Sequence, residues 1–316
     1  MTKMLKPPKN AIRRAGYKMQ KWYMLYLMML PGLAYLIINN YIPLTGIVVA
    51  FKKYNAVDGL YKSPFVGLKN FEYLFTTKDS WVAIRNTLLY NLFFIVLKLV
   101  VAIALSIVIC ELRNKKAKSV FQSVLLLPYL LSYTVVSYIV YAFLGTDRGF
   151  INNSILSFLN LPTINWYNEP KYWPVILTIV TIWKGIGYSA LIYIANINGI
   201  DPQMYEAAEL DGASKWQQIK MITLPSIMPS IVTLTLLNIG RIFYSDFGLF
   251  FQVPMNSGML TSATQTMDTF VYRMLMNIGN IGMSSAASVF QSIVGFVLVL
   301  LANLIVRKID KDMAMF

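Results

Sequence analysis

The chain has no histidine and only one cysteine, Cys110, among its 316 residues. A single cysteine cannot form an internal disulfide, and without histidine or paired cysteines the sequence offers no zinc or haem site. Ser-His-Asp and Cys-His catalytic arrangements are excluded for the same reason. The phosphate-loop pattern G-x-x-x-x-G-K-[ST] is also missing, since "WKGIGYS" has the wrong spacing. These absences predict a chain that is not an enzyme and binds no cofactor of its own.

Charged residues are scarce as well, at 13%, whereas 57% of the residues are hydrophobic and the mean hydropathy is +0.55. A helix needs about 20 residues to cross a hydrocarbon core of about 30 Å, and six segments are long and apolar enough. They are expected near residues 22–48, 86–110, 120–144, 174–197, 226–250 and 286–306. The predicted fold is an all-α membrane protein with six transmembrane helices.

The basic residues are unevenly distributed along the chain. Seven lie in residues 1–21, four in 111–119 and three in 307–316, which places 14 of the 28 lysines and arginines in 40 residues. Cytoplasmic segments are enriched in Lys and Arg, so both termini of this multi-pass cell-membrane protein are expected in the cytoplasm. Residues 1–21 then form a basic tail and 22–316 the transmembrane domain. The net charge of +14 fits anionic lipid headgroups better than nucleic acid.

The N-terminal apolar run resembles a signal peptide in having a basic segment before it. It is too long for a signal h-region and lacks a small-residue cleavage site, so we interpret it as a retained first helix.

The two predicted outer loops near 51–85 and 145–173 are rich in aromatic residues. These residues include Tyr54, Tyr61, Trp81, Trp166, Tyr167, Tyr172 and Trp173. Aromatic rings collect at membrane interfaces, and this accounts for most of them. The alternative is that a few face a carbohydrate ligand.

A polar loop, residues 198–225, separates the fourth and fifth predicted spans and carries several helix signals. Asp201 is a good N-cap, and Pro202 fits the first helical position, where its missing N–H costs nothing. Gly212 can adopt the positive φ that ends a helix, and Ser214, with glutamine three residues on, predicts a capping box. The polar loop is therefore predicted to fold as helix, sharp turn and helix.

A short surface helix is marginal in water, so this one is expected to pack on something. Packing on its own bundle is the ordinary expectation for a membrane loop. Small Ala207 and Ala208, flanked by Met204, Tyr205 and Trp216, instead favour a knob presented to the groove of a partner protein.

The run "EAAELDGASKWQQIKMITLP" resembles the EAA signature of ABC-importer permeases. In that family the loop is a cytoplasmic coupling helix, placed between the fourth and fifth spans, that docks into a cleft of the ATPase. The residues that this resemblance assigns to ATPase coupling are Glu206, Ala207, Ala208, Asp211, Gly212, Ala213, Trp216 and Pro225.

Further stretches resemble the carbohydrate-uptake branch of these permeases, closest to those for oligosaccharides in Gram-positive bacteria. They are "YIPLTGIVVAFKKYN", "NWYNEP" and "LNIGRIFYSDFGLFFQVP". The resemblance implies a cytoplasmic ATPase dimer that binds ATP and Mg²⁺, and a second permease, usually a different but related chain. It also implies an extracellular solute-binding lipoprotein and an oligosaccharide substrate.

Ionisable residues inside predicted spans are costly, at about 2.5 to 3.5 kcal/mol each, and so point to function. Lys98 and Lys184 are expected to be structural or snorkelling residues. Arg241 and Asp246, five residues apart, either form an internal strut or border a hydrated cavity, and we weigh the two equally. In the second case Tyr244 is available to stack on a sugar.

Other functions remain open from the residues alone. A self-sufficient secondary carrier usually needs more spans or an inverted repeat, together with an embedded ion site. An ABC importer for a solute other than a sugar, or a scaffold whose polar loop recruits a partner, are further alternatives. Co-purification of an ATPase distinguishes the importer from the carrier.

Overall fold

The computed structural model describes residues 21–311 and residue 314. Within this part of the chain the only β-structure is an isolated antiparallel bridge between Lys52 and Phe65. The predicted all-α class is therefore confirmed. The predicted basic tail, residues 1–21, lies outside the described residues except for Lys21.

In the described part of the chain, ten labelled helices form the framework. They are α1 Tyr23–Leu36, α2 Lys78–Cys110, α3 Lys115–Leu130, α4 Tyr133–Leu144, α5 Trp173–Asn198, α6 Pro202–Leu210, α7 Lys215–Gln218, α8 Leu224–Gly240, α9 Met267–Met276 and α10 Ile281–Ile309. The remaining α-helical segments are Ile42–Leu44, Gly59–Lys62, Lys69–Thr76 and Thr261–Thr264. π-Helical segments are Ile37–Tyr41, Ile151–Leu156, Ile219–Thr223 and Gly248–Gln252, and 3₁₀ turns are Thr45–Phe51, Trp166–Asn168, Pro170–Tyr172 and Gly258–Leu260.

Among the described residues, five helical runs are long and apolar enough to cross a membrane. They are Tyr23–Phe51, Lys78–Cys110, Pro170–Asn198, Lys215–Gly240 and Ile281–Ile309. Helices α3 and α4 supply a sixth crossing only if they are counted as one bent span. Several membrane-spanning helices are thus present, and the count of six stays a prediction.

The third predicted span, 120–144, is not one straight helix, because α3 and α4 meet at 97°. Leu131 and Ser132 are extended at the break. The Ser132 hydroxyl accepts a hydrogen bond from the backbone N–H of Val135 at 3.3 Å and so caps α4. A serine after an apolar run therefore starts a new helix here.

The fifth predicted span, 226–250, is displaced along the chain. Its helical run begins earlier, at Lys215, and ends at Gly240. Pro225 lies just after the π-helical segment that precedes α8, and its missing N–H removes one hydrogen bond from the helix there. Residues 241–250, predicted to continue the span, form a turn and then a second π-helical segment.

Two close backbone approaches hold the bundle together. A Cβ added at Gly187 would lie 1.9 Å from the carbonyl oxygen of Leu125, so α5 and α3 touch directly. A Cβ added at Gly295 would lie 2.8 Å from the carbonyl oxygen of Gly240, so α10 and α8 also meet closely. Small residues at such crossings allow van der Waals packing between membrane helices.

The N-terminal helical run stands apart from the bundle. Every residue from Lys21 to Thr45 is exposed, and only its last turn, Thr45–Phe51, packs against α10. Its side chains face lipid or a partner along most of its length.

Candidate functional site

The polar loop folds as two helices joined by a tight turn. Asp201 accepts a hydrogen bond from the Gln203 backbone N–H at 3.0 Å and caps α6, in which Pro202 is the first residue. The Ser214 N–H donates to Gln217 Oε1 at 2.7 Å, and the Ser214 hydroxyl accepts from the Gln217 N–H at 3.4 Å. The predicted N-cap, first-turn proline and capping box are confirmed.

The turn between α6 and α7 depends on Gly212, which has a φ of +77°. The Gly212 N–H donates to the Glu209 carbonyl at 3.1 Å, and the Ala213 N–H donates to the Ala208 carbonyl at 2.9 Å, which forms a Schellman cap. Across the turn, Lys215 Nζ lies 2.6 Å from Glu209 Oε1. The hydrogen bond from this ammonium lowers the pKa of the Glu209 carboxyl.

An apolar patch projects from this loop. It consists of Met204, Leu210, Trp216 and Met221, all exposed, with Leu210 at 90% and Trp216 at 70%. Exposed apolar side chains rimmed by polar ones mark interaction surfaces. The other residues assigned to coupling share this loop: Glu206, Ala207, Asp211, Gly212 and Pro225 are exposed, and Ala208 and Ala213 are half-buried.

The polar loop is fastened to the end of the bundle. The Tyr205 hydroxyl lies 2.8 Å from Thr223 Oγ1, which joins α6 to the run that leads into α8. Lys118 Nζ donates to Asn198 Oδ1 at 2.8 Å, so the basic first turn of α3 lies beside the start of the loop. The polar loop is therefore hydrogen-bonded both to the run that continues into α8 and to α3.

A cavity of about 340 Å³ lies between α2, α5, α8 and the turn that follows α8. The three residues predicted for the substrate path, Arg241, Tyr244 and Asp246, all line it. Further polar or aromatic residues lining it are Asn91, Phe94, Lys98, Tyr133, Thr181, Tyr188, Ser189, Tyr193, Thr235, Asn238 and Phe250. Among the described residues no ion pair joins Arg241 to Asp246.

Amide side chains from neighbouring helices donate hydrogen bonds to the backbone of the turn after α8. Asn91 Nδ2 on α2 donates to the carbonyls of Ile242 at 2.7 Å and Tyr244 at 3.2 Å. Gln291 Nε2 on α10 donates to the Phe243 carbonyl at 2.7 Å. Irregular backbone inside a membrane protein needs such partners, because lipid offers none.

The two lysines of the spans have different environments. Lys184, only 8% exposed, donates to the carbonyls of Tyr129 at 3.0 Å, Leu131 at 2.7 Å and Pro128 at 3.4 Å. It therefore caps the C-terminal end of α3 at the break, which is the expected structural role. Lys98, expected to have a similar role, instead lines the cavity.

Sequence reasoning missed the roles of Asn91, Gln291 and Thr181. It considered only ionisable residues within spans, whereas these side chains are polar and uncharged. Asparagine and glutamine inside an apolar span are the signal that could have found the first two, since such groups need partners there.

The comparisons with known proteins agree on one family. Residues 99–314 match the family described as binding-protein-dependent transport system inner membrane component. The chain is 33% identical over 304 residues to the polygalacturonan/rhamnogalacturonan transport system permease protein YteP of Bacillus subtilis, covering 96% of this chain and 94% of YteP.

Two solved structures have the same fold. One is the crystal structure of a bacterial ABC transporter involved in the import of the acidic polysaccharide alginate, with a TM-score of 0.86 and 29% identity, covering 94% of this chain and 99% of that chain. The other is a bacterial alginate ABC transporter in complex with an alginate pentasaccharide-bound periplasmic protein, with a TM-score of 0.84 and 29% identity, covering 93% and 98%.

These likenesses confirm the predicted resemblance to importer permeases and favour it over a self-sufficient secondary carrier. The chain belongs to the family of binding-protein-dependent transport system inner membrane components, the permeases of ABC importers.

Proposed function

We propose that the chain passes an oligosaccharide across the cell membrane while a separate cytoplasmic ATPase dimer hydrolyses ATP with Mg²⁺. The observation that carries the proposal is the capped helix, turn and helix that presents the apolar patch at one end of the bundle. An exposed apolar patch on a rigid turn fits the helix-in-groove mode of recognition. The chain itself is the non-catalytic translocation subunit.

The polar loop is positioned to move the cavity wall. A continuous helical run from Lys215 to Gly240 starts beside the apolar patch and ends at the turn that carries Arg241. At about 1.5 Å per residue, this run transmits a push over roughly 40 Å. Closure of the ATPase dimer would therefore tilt α8 and change access to the cavity.

An oligosaccharide substrate is supported by the cavity lining and by the relatives. Tyrosines 133, 188, 193 and 244 offer flat apolar faces with hydroxyl edges, which suits sugar rings. YteP is named for polygalacturonan and rhamnogalacturonan, and the two solved transporters for alginate. In our proposal Tyr244 stacks on a ring while Arg241 and Asp246 contact polar groups of the sugar.

Three further features belong to the proposal. The exposed N-terminal run supports a second permease that covers it. The periplasmic protein bound to one solved transporter supports a solute-binding protein, here an extracellular lipoprotein. The basic bias of the termini supports a cytoplasmic location for both, and the Bacillus relative supports a Gram-positive source.

The proposal is tested by uptake and ATP hydrolysis in proteoliposomes that hold the complete complex. We expect Gly212→Val and Glu206→Lys to abolish ATPase association or saccharide-stimulated hydrolysis, because they disturb the turn and the face of α6. Gly59→Val is the matched control, since Gly59 also has a positive φ, +67°, and open space around its Cβ position. Normal coupling in Gly212→Val would refute the docking role.

Unchanged uptake in Tyr244→Ala would remove Tyr244 from the proposed substrate path.

A further inference from the structure

The cavity carries more positive than negative charge. Its ionisable lining residues, apart from tyrosines, are Lys98, Arg241 and Asp246. Within the described part of the chain, neither cationic side chain donates a hydrogen bond or forms an ion pair. The two ion pairs found there, Lys171–Glu169 and Lys215–Glu209, lie outside the cavity.

The surplus cations are not explained by structural need. Lys184, on α5 of the same bundle, shows what a structural lysine does here, because its ammonium donates hydrogen bonds to three carbonyls. Among the described residues, Lys98 has only the ring of Phe94, at 6.0 Å, and the charge of Asp246, with which it forms no ion pair. Lys98 is half-buried and Arg241 is exposed, so among the described residues both cations have hydrogen-bonding capacity free for a bound anion.

The cavity also presents a hydrogen-bonding group without a partner. The Thr181 hydroxyl is 3% exposed and has no hydrogen-bond partner among the described residues, yet Thr181 lines the cavity. Buried polar groups are normally paired, so an exception at a cavity wall points to a bound solute or water.

We propose that the solute carried through this cavity is an acidic saccharide, whose carboxylates pair with Lys98 and Arg241. A guanidinium binds a carboxylate through two parallel hydrogen bonds, and an ammonium adds a second charge contact. Asp246 is left to accept hydrogen bonds from sugar hydroxyls. This inference rests on the proposed transport function and specifies the substrate class of the same cavity.

The charge of the cavity can be measured without any sugar. In the complete complex with Cys110→Ser, a thiol introduced by Asn238→Cys lies on the cavity wall. We expect the anionic sulfonatoethyl methanethiosulfonate to react at least tenfold faster, relative to the cationic trimethylammonium reagent, than it does at a Val57→Cys control. Val57 is 91% exposed and lies outside both the cavity and the polar loop. A cleft of one charge sign raises the local concentration of the opposite ion by this order.

With Lys98→Met and Arg241→Gln added, the ratio of anionic to cationic labelling rates at the cavity thiol should fall to the ratio at the control thiol. Equal ratios at the two thiols before those changes, or a cavity ratio that does not respond to them, would overturn the proposal.

Uptake then tests the substrate class. Oligogalacturonate and oligomannuronate, each compared with its neutral methyl ester, are supplied to the complex in proteoliposomes. We expect at least a tenfold preference for the acids over the esters. Binding to the cavity is measured without the binding protein, as protection of the Asn238→Cys thiol from a neutral labelling reagent. We expect the acids to slow this labelling more than the esters do. The difference should disappear in Lys98→Met/Arg241→Gln. Equal uptake of acid and ester overturns this inference alone, whereas no uptake of any saccharide overturns the proposed function with it.

Discussion

At the scale of single residues, Lys184 explains how a charged side chain is tolerated inside the bundle. A buried ammonium is costly unless its hydrogen bonds are made, and here three carbonyls at the end of α3 accept them. The rings of Tyr129 and Tyr133 lie 5.6 and 4.9 Å from Nζ and add cation–π contacts. The lysine and the helix break thus stabilise each other.

We expect Lys184→Met to destabilise the bundle while keeping the side-chain volume. Each carbonyl left buried without a partner costs about 1 to 3 kcal/mol. Thermal unfolding of the purified complex should therefore begin at a clearly lower temperature. Lys98→Met is the matched control, because Lys98 binds no carbonyl among the described residues, and its unfolding temperature should stay close to that of the parent. Equal unfolding of the two variants would contradict the capping role of Lys184.

At the scale of elements, the polar loop was predictable, whereas the helix ends beside the cavity were not. Asp201, Ser214 and Gly212 act on backbone groups within a few residues, so their chemistry can be read locally. The end of α8 at Gly240 and the break after α3 depend on Asn91, Gln291 and Lys184, which come from distant parts of the chain. Hydropathy alone predicted a continuous span through both of these points.

The crossing of α3 and α5 offers a sharp test of helix packing. Gly185→Ala adds a methyl 3.6 Å from Lys98 Cε, an ordinary contact, whereas the same methyl at Gly187 meets the Leu125 carbonyl. We expect Gly187→Ala to push the helices apart and cost at least about 1 to 3 kcal/mol, the range for overpacking. The unfolding temperature and the yield of assembled complex should fall for Gly187→Ala and not for Gly185→Ala. Tolerance of both changes would mean that α5 and α3 do not touch here.

At the scale of the whole molecule, the N-terminal run is exposed along most of its length. Its residues are apolar on all sides, whereas helices packed in the bundle bury one face. Lipid can solvate such a helix, but lipid does not hold it at one angle, since tilt and rotation are set by neighbouring helices. A second permease is the partner that the proposed function supplies, so we place this run in the contact between two permeases.

A photoreactive amino acid at Met28, which is 78% exposed, tests that placement. In the complete complex we expect irradiation to join the chain to the second permease, because Met28 lies at the middle of an unpacked apolar helix. The same residue in the chain expressed alone should give no adduct of that mass. An active complex that yields only lipid adducts at Met28 and at the neighbouring exposed positions of the helix would show that the run faces lipid.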